Sequence, residues 1–95
     1  MSATTSLTLP AVLTHREARA CLQDWVQRLP VQGMVKLDAA ALQRFDSSAL
    51  AVLLALQRAV LSRGSRLEVR HLPPQARQLA RVYGIESSLS LSESA

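Results

Sequence analysis

The chain has 95 residues, 48% hydrophobic and 19% charged, a balance that excludes disorder and leaves room for one small domain, expected to span residues 1–95 with its core at about 6–91. Its only aromatic residues are Trp25, Phe45 and Tyr83, so the core must be aliphatic, and an aromatic stacking platform for single-stranded nucleic acid is excluded. The net charge is +4, and ten of the eleven cations are Arg, with residues 47–81 holding six Arg against Glu68 alone. Without a groove-reading motif, this basic half reads as a solvated face or a complement to an acidic protein partner rather than a nucleic-acid surface.

In chain order, Ser6–Leu13 is short, apolar and Thr-bearing. It reads as a strand ending near Pro10 and lying at a sheet edge, because proline donates no ladder hydrogen bond. Thr14-His-Arg-Glu17 fits a capping box. Ala18, Cys21, Leu22, Trp25, Val26 and Leu29 follow at spacings of three and four, predicting an amphipathic helix over 14–29 that Pro30 stops. Met34–Asp38 is a compact apolar strand. Asp46 is the natural N-cap of a second helix and Gly64 its stop. The body of that helix, Ala49–Leu56, is apolar all round and is expected to be the most buried helix.

Arg66–Leu72 alternates, with Leu67 and Val69 pointing inward. Pro73-Pro74 ends this strand and opens a third helix carrying Ala76, Leu79, Ala80 and Tyr83, closed by Gly84. Beyond Glu86 the tail alternates Ser and Leu, with Leu89 and Leu91 suited to a further turn or strand. The β-α-β-α-β-α order predicts an α/β fold: a small, mostly parallel sheet with right-handed crossovers and helices on at least one face.

The one cysteine, Cys21, cannot form an internal disulfide, which suits a reducing compartment. Met1–Ser6 lacks the basic and apolar regions of a signal peptide. The longest apolar run, Ala49–Leu56, is eight residues, well short of the ~20 that cross a bilayer. Glycines 33, 64 and 84 stand alone at element ends, so no phosphate-cradling loop exists. His15 and His71 lie in separate parts of the chain, His15 in a helix first turn as a solvated residue and His71 half-buried at a strand end. A Ser47, His71 and Asp46 grouping is conceivable, but no nucleophile elbow surrounds it, and Asp46-Ser47 is explained as cap and first turn. No catalytic residue, metal or cofactor is expected.

Chemistry concentrates at Asp46-Ser47-Ser48. Backbone N–H groups at a helix start are unpaired and electropositive, so Asp46 caps them while both serines sit in the first turn. A phosphate there is compatible with the helix end and would place about two negative charges on a contact surface.

The stretch Val35-Lys-Leu-Asp38 followed by Phe45-Asp46-Ser47-Ser48-Ala49-Leu50-Ala51-Val52-Leu53-Leu54 resembles the STAS domain family, of sulfate transporters and anti-sigma-factor antagonists. Arg63-Gly64-Ser65 and Leu79-Ala80-Arg81-Val82-Tyr83-Gly84-Ile85 extend the similarity across roughly residues 33–91. Antagonists usually carry Gly where Ala49 and Ala51 stand here. The short chain, and its long first helix with Trp25, look more like the MlaB-like cytoplasmic STAS subunit of Mla-type phospholipid ABC transporters. That resemblance implies a non-catalytic protein that binds and regulates the transporter ATPase, in support of outer-membrane lipid asymmetry. It would be cytoplasmic and held at the inner membrane through its partner.

The implied contact set is Asp46, Ser47, Ser48 and Ala49, with the exposed side of helix 14–29 or nearby basic residues completing it. Ser47 matches the residue implied for ATPase contact, and Ser48 the one phosphorylated in antagonists. Both hydroxyls are present, so phosphorylation at Ser48 or Ser47, and the alternative function of anti-sigma-factor antagonist, stay open here. A third reading, an anionic-lipid surface made by Arg58, Arg63, Arg77 and Arg81, is weaker than a solvated face.

Overall fold

Thr4–Thr8 forms β1, Val12–Leu13 β2, His15–Val26 α1, Met34–Asp38 β3, Arg44–Phe45 β4, Ser47–Ser62 α2, Arg66–Arg70 β5 and Pro74–Val82 α3. This computed structural model describes residues 4–85; the Leu89 and Leu91 tail lies outside them.

β3 is the centre of a three-stranded parallel sheet, with β1 and β5 at its edges. The register aligns Leu7, Leu37 and Val69 in one row, and Val35 with Leu67 in another. All five side chains are at most 5% exposed. The alternate row of Ser6, Lys36 and Glu68 stays at least partly open to solvent. Most parallel sheets are covered on both faces and read as continuous apolar runs. The Arg-Leu-Glu-Val-Arg alternation of β5 is the mark of a sheet covered on one face, and the buried sides of the helices lie there.

The expected first strand is in fact two. The ladder of β1 is continued by Leu9, whose N–H donates to the Asp38 carbonyl at 2.9 Å, and Pro10 then ends it for want of a donor. Past the proline, the Ala11 carbonyl accepts N–H groups from Gln43 and Arg44, both at 2.8 Å, and β2 pairs in parallel with β4. β4 is not legible in the sequence, because two residues carry no periodicity to read.

α1 ends at Val26, three residues before the expected boundary. Turns follow, in which Arg28 N–H donates to Trp25 and Leu29 N–H to Val26; the residue before a proline is biased away from helical geometry. Trp25 and Leu29 are buried nonetheless. α2 buries six residues, Ala49, Leu50, Val52, Leu53, Leu56 and Val60, against one in α1 and two in α3. It is the most buried helix, as expected, yet it is covered on one side only: Ala51 is exposed, Leu54 and Ala55 are half-buried, and Leu61 is 58% exposed. In α3, Ala76 and Ala80 face the core. Tyr83, expected to join them, sits at the C-cap and is 57% exposed. Gly64 and Gly84 take φ of +69° and +71° after the last turns of α2 and α3, the left-handed geometry in which Gly costs least.

One buried polar side chain ties two loops together. The Ser65 hydroxyl donates to the Pro30 carbonyl at 2.8 Å and accepts the Gly33 N–H at 3.0 Å, so the segment entering β3 is held against the start of β5. Among the described residues no helix is long and apolar enough to cross a membrane.

Leu53 is 1% exposed at the centre of α2. Leu53→Ala is expected to cost about 2–5 kcal/mol through lost transfer energy and the cavity left behind. Leu61→Ala, on the exposed side, should stay within about 0.5 kcal/mol of wild type. Urea denaturation of the two variants checks the contrast, and equal losses would contradict the packing described.

Candidate interaction site

The site begins with the smallest element of the fold. Pairing of β2 with β4 sets Val12 beside Arg44 and Leu13 beside Phe45. The next residue on each strand is an N-cap, Thr14 for α1 and Asp46 for α2. The two helices therefore start side by side, a juxtaposition no local pattern announces.

At the first cap, Glu17 Oε1 accepts both the Thr14 backbone N–H, at 2.8 Å, and the Thr14 hydroxyl, at 2.7 Å. At the second, Asp46 Oδ1 accepts the Ser48 N–H at 2.8 Å. Its Oδ2 accepts the N–H of His15, from the first turn of α1, at 3.3 Å. One carboxylate thus joins the N-termini of two helices. The His15 ring, 80% exposed, stands with Nδ1 3.9 Å from the same oxygen. The Ser48 N–H, and less strongly the His15 N–H, hold the Asp46 carboxyl below its ordinary value. The Thr14 N–H and hydroxyl do the same for Glu17.

This frame presents Ser47 to solvent and leaves Ser48 half-buried. Ala49, expected among the contact residues, turns inward at 2% exposure. It supports the turn from beneath, because the third position of α2 already belongs to the buried stripe. Asp46 is partly exposed, but its carboxylate is occupied by the two N–H groups.

In the other conceivable grouping, His71 pairs with Asp38 and not with Asp46. His71, at φ +60°, has its side chain 49% exposed, and its Nδ1 lies 3.2 Å from Asp38 Oδ1. The histidine beside Asp46 is His15. Asp38 also accepts the Ala40 N–H at 2.9 Å, which closes the turn after β3. The half-buried Cys21 thiol has its pKa pushed up by burial, the reverse of an activated nucleophile. Of the cations in the lipid-surface reading, Arg63 is engaged internally, donating to the Leu29 carbonyl at 3.1 Å.

Beside Ser48 runs a groove of about 350 Å³ between α1 and α2. Its walls are Ala18 and Leu22 on one side and Ala51, Val52 and Ala55 on the other, with His15 and Arg19 on the rim. The sequence does not announce this groove; apolar residues spaced by four, Ala18/Leu22 and Ala51/Ala55, are its local signal.

An exposed hydroxyl thus stands on a carboxylate-braced helix start, beside an apolar trough. Comparison with known families matches residues 2–92 to the one described as "Mlab, STAS domain". The chain belongs to this MlaB-like STAS family. Comparison with curated proteins found no match.

The braced carboxylates give the site an acid-side pH dependence. Asp46 and Glu17 have folded-state pKa values below the ordinary 3.8 and 4.5. Their contribution to stability is complete above those values and is lost as pH falls through the lower folded ones. Urea midpoints measured from about pH 6 down to about pH 3 should fall for wild type and fall less for Asp46→Asn, which keeps a cap but does not titrate. Identical acid limbs for the two proteins would remove Asp46 from the account.

Proposed function

We propose that this chain is the non-catalytic STAS subunit that binds and regulates the ATPase of an Mla-type phospholipid ABC transporter, and so supports outer-membrane lipid asymmetry. The observation that carries the reading is the match of residues 2–92 to the MlaB-described STAS family. The site geometry supports it. Ser47 stands exposed at the start of α2, on a turn rigidly braced through Asp46. Ser47 and Ser48 form the centre of the contact surface, with Asp46 and Ala49 acting as its frame. In this reading the protein works in the cytoplasm and reaches the inner membrane only through its partner. Phosphorylation of Ser48 would place about two negative charges at the end of the α1–α2 groove, and would thereby favour the anti-sigma-factor antagonist reading.

Ser47→Arg tests the surface. A charge change in the first turn alters helix energetics by only about 0.3–1 kcal/mol, so circular dichroism and melting should stay near wild type. Co-purification with the Mla-type ATPase of the same organism should be lost, because an unmatched charge is pressed against the partner. Arg66→Ala, on the exposed side of β5, should leave it intact. Retention of the ATPase by Ser47→Arg would exclude this surface, and a change of partner seen only with Ser48→Asp would favour the antagonist reading.

Purified alone, the chain should hydrolyse neither ATP nor simple esters. Turnover abolished by Ser47→Ala would contradict a non-catalytic role.

A further inference from the structure

The three-stranded sheet has two outer edges, and they differ in charge. Among the described residues, β1 and β5 each pair with β3 on one side only. The unpaired N–H and C=O groups of an edge strand are a template for a further strand, and charged side chains commonly block that pairing. β5 has such charges in Arg66, Glu68 and Arg70. β1 reads Thr-Thr-Ser-Leu-Thr, with no charge, proline or glycine. The Leu9 N–H donates to the Asp38 carbonyl of β3. Backbone groups alternate sides along a strand, so Thr5 and Leu7 also turn theirs toward β3. Thr4, Ser6 and Thr8 turn theirs outward, and all three residues are exposed.

Charge opens one edge to self-pairing and closes the other. Laid antiparallel on a second copy with Ser6 at the two-fold axis, β1 sets Ser6 opposite Ser6, and Thr4 opposite Thr8 of that copy. These are the residues whose backbone groups point outward, so each pair exchanges two hydrogen bonds, about six in all. Their side chains bring hydroxyl against hydroxyl, a favourable cross-strand pairing. The same operation on β5 about Glu68 sets carboxylate against carboxylate and Arg66 against Arg70. Like charges directly opposite one another destabilise a pair. A two-fold contact on β1 consumes that edge and leaves only the charged one, so association stops at two.

We infer that two copies of this chain associate through β1, antiparallel about Ser6, so that their three-stranded sheets join into one continuous sheet. The second copy is the occupant that β1 itself specifies: its outward row, Thr4-Ser6-Thr8, reads the same in both directions and brings no charge to desolvate. The contact uses neither Ser47 nor α2, so it stands or falls independently of the ATPase reading.

The test is sedimentation velocity on the full chain over a concentration series, with circular dichroism on every variant. Wild type should pass from monomer to dimer as concentration rises. Ser6→Pro removes the outward N–H at the axis and spares the β1–β3 ladder, as proline does on an edge strand. Ser6→Lys sets two like charges against each other there. Both should weaken the dimer at least about tenfold, and Ser6→Lys carries the test if the proline variant misfolds. Arg66→Ala, on the other edge, should dimerise as wild type. With Cys21 replaced by Ser, Ser6→Cys should form a disulfide-linked dimer on mild oxidation, since a directly opposed pair lies about 5.5 Å apart at Cα. Thr4→Cys should not, because Thr4 faces Thr8. Monomer alone up to about 1 mM, species larger than a dimer, unchanged dimerisation in both Ser6 variants, or equal linkage by the two cysteine variants would each overturn the inference.

Discussion

The Asp46 carboxylate accepts N–H groups from two helices, Ser48 of α2 at 2.8 Å and His15 of α1 at 3.3 Å, and the candidate site is organised around it. Each helix start is electropositive and leaves backbone donors without intrahelical partners. One anion answers both ends and fixes the distance between them. Because Leu13 and Phe45 are paired just upstream, the two helix starts are tied together by both the strand pair and the carboxylate. The trough between α1 and α2 and the position of Ser47 both follow from that start.

Behind this face, the one-sided sheet explains where the helices' buried surfaces lie. Leu7, Val35, Leu37, Leu67 and Val69 form an aliphatic floor, and α2 covers it with six buried side chains. With so few aromatic residues, the core depends on many Leu, Val and Ala contacts. Ser65, the only buried polar side chain among the described residues, is fully engaged with Pro30 and Gly33. This floor takes up the buried side of α2, while Ser47, Ala51, Arg58 and Leu61 stay exposed on the other.

Family membership and the site bear on function at different depths. The MlaB-like STAS match covers residues 2–92 and gives the protein its class. The exposed hydroxyl, the turn braced through Asp46 and the trough between α1 and α2 are features of this chain itself. His71 pairs with Asp38 and His15 stands beside Asp46, and burial raises the pKa of the Cys21 thiol.

Much of this was legible in the residues. The capping box at Thr14–Glu17, the Asp46 cap, the glycine stops and the alternation of β5 are local signals, because each depends on bonds or burial within a few positions of the chain. The Asp46-Ser47-Ser48 turn, the candidate site, is local in the same sense. The β2–β4 pair was illegible, since two-residue strands have no period, and with it the meeting of the two helix starts. Ala49 could not be told from Ala51 as inward or outward while the helix was apolar all round. Its composition declared that α2 would be buried somewhere; only packing on the sheet decided which side. The sequence by itself determined the elements, their caps and the chemical character of the turn. Tertiary structure decided which carboxylate braces which helices, and which apolar residues remain uncovered, because both depend on contacts between segments about thirty residues apart.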